Sequence, residues 1–229
     1  MKKNTVYAAV SAILFIILIV LLKTVDVQPA GPGGTSIGLS ALNLKFHDIT
    51  GVHMAWYNIT DWLGYGALAV CAVFGLAGLM QLINRKSLLK VDKCILALGV
   101  FYIVVIGFYL FFEKCVINYR PIIMPGADAP EASFPSSHTM LIICVMASTR
   151  MVISRYIKPG ALRSAVKVAC TLVMVVTVFG RMYCGVHWLT DIIGGILLSV
   201  ALVETFSLVL DSAGKADAAA NKARKSAGK

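Results

Sequence analysis

Eight residues of this chain have the types and spacing for one kind of chemistry. Arg181, His187 and Asp191 are separated by five and then three residues; Ser136, Ser137 and His138, which follow Pro135, form a second group; Lys114 and Arg120 form a third. Arginine offers a planar fork matched to phosphate oxygens, and lysine offers a point charge. A histidine whose ring is oriented by a carboxylate can attack phosphorus, and a second histidine can hand a proton to the leaving oxygen. His187 and Asp191, four apart, would share one face of a helix, with Asp191 accepting from one ring nitrogen and freeing the other. Ser136 and Ser137 precede an apolar run, so serine is expected to cap a helix there. The free N–H groups of that first turn would add to an anion site.

These residues must be held by membrane-spanning elements. The chain has 229 residues, is 59% hydrophobic and only 14% charged, and its mean hydropathy is +0.83. That excludes an ordinary soluble domain. Roughly 20 apolar residues span a bilayer. Six stretches qualify: Val6–Leu22, Leu63–Ile83, Cys94–Phe112, His138–Ile157, Ala165–Gly180 and Trp188–Leu210. The fourth and fifth carry the weakest signal, because Arg150 and Arg155 interrupt one and the other is short. The first follows Met1-Lys2-Lys3-Asn4 and reads as a retained helix rather than a cleaved signal. The expected fold is an all-α, six-helix membrane bundle over residues 1–210, with the motif core at 114–195. A disordered basic tail is expected at 211–229.

The net charge of +10 does not indicate nucleic acid. Placing the N-terminus inside puts sixteen of the twenty-one basic residues in inner segments, leaving Lys23, Lys45, Lys114, Arg120 and Arg181 outside. This positive-inside bias assigns both termini to the cytoplasm and the motif residues to the outer face. Three of the five outer cations are thus motif residues.

The first outer segment divides into a Pro/Gly linker, Gln28 to Gly34, and a stretch from Leu39 to Trp62 expected to hold a short interfacial helix. Trp56, Tyr57 and Trp62 suit the headgroup level. His47 and His53 have no partners at catalytic spacing and read as surface residues. Glu204 and Arg150 fall at similar depth and could pair. Gly194-Gly195 is suited to close helix packing. The six cysteines show no metal-ligand spacing, although Cys115 and Cys184 would face the same side and could pair.

The three groups resemble the motifs of the type 2 phosphatidic acid phosphatase superfamily. Its motifs are a lysine, six residues and Arg-Pro; Pro-Ser-Gly-His; and Ser-Arg, five residues, His, three residues, Asp. Here the third reads Gly180-Arg181 through His187 to Asp191, with glycine for the leading serine. The second has Ser137 in place of glycine, and the first ends in Arg120-Pro121 with five residues after Lys114 instead of six. On a regular helix that deletion rotates Lys114 by about 100°.

The resemblance implies His187 as a phosphohistidine-forming nucleophile, Asp191 as its orienting group and His138 as the acid. Lys114, Arg120, Ser136, Ser137 and Arg181 would hold the phosphoryl oxygens. No metal or cofactor is implied, because the cations and the helix end supply positive charge. The substrate would be a membrane lipid phosphate or diphosphate, undecaprenyl diphosphate first, with phosphatidylglycerophosphate or phosphatidate as the alternative. Lipid phosphotransfer stays open, as does a non-catalytic lipid-phosphate binder or transporter. The oligomeric state is not legible.

Overall fold

The computed structural model describes residues 2–227, with side chains placed for 3–213. The described residues form seven α-helices: α1 (Lys2–Thr24), α2 (Ser40–Thr50), α3 (Met54–Arg85), α4 (Lys93–Lys114), α5 (Ser137–Val152), α6 (Ala161–Tyr183) and α7 (Leu189–Ala227). All except α2 are long and apolar enough to cross a membrane. The six expected spans are therefore present. The tail expected from Asp211 onward lies largely outside the residues whose side chains are described.

The fourth span, α5, is the axis of the bundle and packs against α3, α4, α6 and α7. Half of its most apolar window is buried in protein, against 6% for α3, while its hydropathy is the lowest of the six at 1.3. A helix shielded from lipid need not be apolar all round. It can carry Ser148 and Thr149, which turn their hydroxyls back to the Val145 carbonyl. That accounts for the weak signal of this span. α1 lies on the outside, along α7. At the site end, Phe15 of α1, Phe112 of α4 and Phe134 stack and cross at 5.7–6.1 Å between centroids. Gly194 lets α7 close on this cluster, because a Cβ there would stand 2.4 Å from the Phe134 ring.

Several local expectations are corrected. Trp56, Tyr57 and Trp62 belong to α3, which begins nine residues before the apolar stretch itself. The interfacial helix is α2 alone. The Pro/Gly linker is not slack: Gln28 and Ile37 pair in an antiparallel bridge, and Ile37 is buried. Its carboxylate neighbour Asp26 accepts the Ala41 N–H at 2.7 Å, supplying α2 with a cap from outside the helix. Arg150 does not pair with Glu204; it donates to the Thr171 hydroxyl. Cys115 and Cys184 are both free thiols, Cys184 buried and Cys115 exposed.

Candidate active site

The C-terminal ends of α4 and α6 and the N-terminal ends of α3, α5 and α7 lie at one end of the bundle, and the motif residues collect there. Ser136 is the N-cap of α5, and its hydroxyl accepts from the Thr139 N–H and hydroxyl. Its own N–H donates to the Asp191 carbonyl at 3.0 Å, joining the start of α5 to the start of α7. His138 follows in the first turn of α5. The loop before α5 folds back on itself through a Tyr119–Ala132 bridge. This carries Arg120 to the Val186 carbonyl, 3.5 Å away, and to the Glu131 carboxylate, 3.0 Å away.

His187 is not on the helix. It sits in the turn before α7, so the expected i,i+4 hydrogen bond with Asp191 does not form: Nδ1 and the carboxylate are 3.8 Å apart. Asp191 is the third residue of α7, and its Oδ2 accepts the Trp188 N–H at 2.9 Å. This is the reach-back of a capping box, with aspartate at the position usually held by Glu or Gln. The carboxylate is thus spent first on the turn that carries His187. Its other oxygen is buried without a partner, as are both ring nitrogens of His187.

Arg181 is fully buried. None of its guanidinium nitrogens makes a hydrogen bond. It lies 4.8 Å over the Tyr57 ring and 3.7 Å from Asp61. Buried polar atoms are nearly always satisfied. Here unpaired groups of an arginine, a histidine and a carboxylate occur together around one turn. Burial, with the Arg120 and Arg181 cations adding to it, holds the His187 ring well below its ordinary basicity. The ring is neutral at physiological pH, the state required of a nitrogen nucleophile.

Asp61 is the residue that sequence reasoning missed. From the first turns of α3 it accepts from His138 Nε2 at 2.8 Å and faces Arg181 on its other side. His138 Nδ1 stays buried and unpartnered. A carboxylate inside a membrane helix is costly unless paired or functional, and that was the available signal. His47 is not a plain surface residue either. Its Nε2 lies 3.1 Å from the Gly185 carbonyl, and its ring is 5.6 Å from that of Trp188. Buried Asn43, also on α2, bonds both the hydroxyl and the N–H of Thr190. Gly185 has φ +71°, and a Cβ there would lie 2.2 Å from the Gly51 carbonyl. The turn carrying His187 is therefore clamped from above by α2 and its following loop.

Two adjoining cavities share Tyr109, Ser137 and Met140. One is narrow and reaches His187; the other, of about 460 Å³, is lined by Asp61 and His138 and by apolar residues of α3 and α4. Ser137 borders both. Lys114 lies apart. It ends α4, is exposed, makes no ion pair or hydrogen bond among the described residues and lines neither cavity. Lys114→Ala is therefore expected to change kcat/KM by less than about threefold, since exposed charges are screened. A tenfold rise in KM would place the lysine on the substrate.

Residues 114–213 match the family model described as the PAP2 superfamily, in agreement with the motifs. Among solved structures, a transmembrane PAP2 type phosphatidylglycerolphosphate phosphatase from Bacillus subtilis shares the fold. It has a TM-score of 0.58 at 18% identity, over 91% of this chain and 96% of that one. LpxE of Aquifex aeolicus aligns over 74% of this chain and 95% of its own, at 22% identity and a TM-score of 0.43. No curated protein matches the chain.

Proposed function

We propose that the chain hydrolyses a lipid phosphate or diphosphate at the outer face of a membrane, with both termini in the cytoplasm. The reading rests above all on the unpaired, buried polar atoms of Arg181, His187 and Asp191. A tetrahedral phosphate would accept from the Arg181 donors and present its phosphorus to a His187 ring nitrogen, while Asp191, an acceptor, would face the positive charge that develops on that ring. The cavity between α3 and α4 supports a lipid substrate, because Tyr65, Leu68, Ile106 and Leu110 line it and are exposed to the bilayer side of those helices. A headgroup at His138 could extend its chain into lipid through this opening.

In this reading Arg120, Arg181, Ser137 and the first-turn amides of α5 hold the phosphoryl oxygens. Arg120 would exchange Glu131, and Arg181 would exchange Asp61, for the substrate. Ser136 acts mainly as the cap that aims the helix end. A His187 ring nitrogen attacks phosphorus as the P–O bond to the leaving group breaks. His138, held by Asp61 through Nε2, gives that oxygen a proton from Nδ1. Water then displaces the histidine from phosphorus, returning its proton to His138 and releasing phosphate. Asp191 balances the charge that develops on His187 while bonded to Trp188.

Undecaprenyl diphosphate is the first candidate substrate, and phosphatidylglycerophosphate or phosphatidate the second. The test is phosphate release by the purified protein in detergent, with EDTA present, from each of these lipids. Release that depends on His187 supports the hydrolase, and the preferred lipid names the substrate. Transfer to an added lipid alcohol without phosphate release would make it a phosphotransferase.

Asp61→Asn separates the role of the second carboxylate. General acids contribute about 10²–10⁴ in rate. The variant is expected to lose at least tenfold on a lipid alkyl phosphate and much less on p-nitrophenyl phosphate, whose leaving group needs no proton. Equal losses on both would mean that Asp61 serves only to hold the fold or the phosphate.

A further inference from the structure

A second charged cavity lies at the other end of the bundle, away from the proposed chemistry. It has a volume of about 320 Å³, sits between α5 and α6, and is lined by Ala147, Arg150, Met151, Lys167 and Met174. Arg150 and Lys167 are thirteen and fourteen residues along their helices from Ser137 and Arg181. At 1.5 Å per residue both lie roughly 20 Å below the catalytic end. The hydrocarbon layer is about 30 Å thick, so both start inside its far half. Cations at that depth are costly unless compensated.

The compensation is not supplied by the hairpin. From Ala132 to Thr190 there is no Asp or Glu, yet its far half carries Arg150, Arg155, Lys158, Arg163 and Lys167. The Lys167 ammonium has no hydrogen bond or ion pair among the described residues. Arg150 is held by the Thr171 hydroxyl, which itself donates to the Lys167 carbonyl. Glu204 of α7 pairs with neither cation. Arg163 and Lys167 are four apart on α6 and lead from the cavity toward the end of the hairpin. The rest of the lining is alanine and two methionines, adaptable apolar side chains that suit an acyl chain more than a hydrated ion.

We infer that this cavity binds the headgroup phosphate of an anionic phospholipid from the leaflet opposite the active site, with the upper part of its acyl chain against Met151 and Met174. By the charge bias, that is the cytoplasmic leaflet. The bound lipid would supply the counter-charge that the α5–α6 hairpin lacks and brace α5, the helix whose first turn carries His138. A free phosphate ion would satisfy the cations but leave the apolar lining unused.

The test is native mass spectrometry of the protein released from nanodiscs of phosphatidylcholine, alone or mixed with phosphatidylglycerol. Wild-type protein is expected to retain a phosphatidylglycerol molecule in preference to phosphatidylcholine. Retention should weaken about fivefold in Lys167→Gln, since each basic residue near an anionic surface contributes such a factor. It should fall further in Arg150→Gln/Lys167→Gln. Arg181→Met, altered only at the active-site end, should retain it fully, which separates this site from substrate binding. The half-buried Lys167 is the variant to rely on if the double change fails to fold. Equal retention by Lys167→Gln and wild type would overturn the assignment. So would equal retention of phosphatidylcholine, or displacement of the lipid by millimolar inorganic phosphate.

Discussion

His187→Ala is expected to lose roughly 10⁴- to 10⁶-fold in kcat, because removing a nucleophile collapses the whole covalent route. The side chain is buried in the turn before α7, and neither ring nitrogen holds a protein partner. Its removal therefore breaks no hydrogen bond, and the melting temperature in detergent should stay close to wild type. The turn itself is held by Asp191 on the Trp188 N–H, by the Trp188 indole on the Tyr119 carbonyl at 2.7 Å, and by His47 and Asn43 of α2. The same histidine sets a pH signature. Its ring stays well below the ordinary value, through burial first and the neighbouring arginines second. Protonation would quench the nucleophile as pH falls. Because that protonation is displaced downward, the acid limb of kcat/KM should lie below the ordinary histidine value of about 6.5. Turnover by a folded His187→Ala protein within tenfold of wild type would remove this histidine from the chemistry. A wild-type acid limb at or above the ordinary value would contradict the buried, neutral ring.

Arg181→Met is expected to lose at least ~10²–10³-fold in kcat/KM, the usual cost of one preorganised contact to a developing oxyanion. Its effect on stability should have the opposite sign. The guanidinium is fully buried, makes no hydrogen bond, and has only Asp61 at 3.7 Å and the face of Tyr57 to offset its desolvation. An unsatisfied buried polar group costs about 1–3 kcal/mol. Methionine fills similar space without that cost, and Asp61 keeps His138 as its partner. The melting temperature should therefore hold or rise while activity falls, a trade expected where a site is kept unsatisfied for its ligand. A large fall in melting temperature would make Arg181 a structural cation. Retained activity would take it out of the phosphate site.

The bundle was legible in the sequence because the bilayer admits so few solutions. A chain with six long apolar runs and scarcely any soluble remainder must satisfy its backbone in helices. The histidines, the arginines and Asp191 were legible because their spacing within short segments is itself the signal. What the sequence could not determine was contact between distant segments. Asp61 and His138 are 77 positions apart, and no local pattern joins them. Asn43 and Thr190 are 147 apart. His47 had no partner at any catalytic spacing, yet the fold sets it on the Gly185 carbonyl, beside the turn that carries His187. The four-residue interval from His187 to Asp191 was read as helical, but α7 starts two residues after the histidine, and the carboxylate is drawn to the Trp188 N–H, which has no intrahelical partner at that start. Lys114 was placed in the site by its motif, whereas the end of α4 leaves it exposed to solvent. Residue types and short spacings thus pointed to phosphate chemistry. Only helix packing decided which groups meet, because burial and partner choice depend on the three-dimensional path between segments.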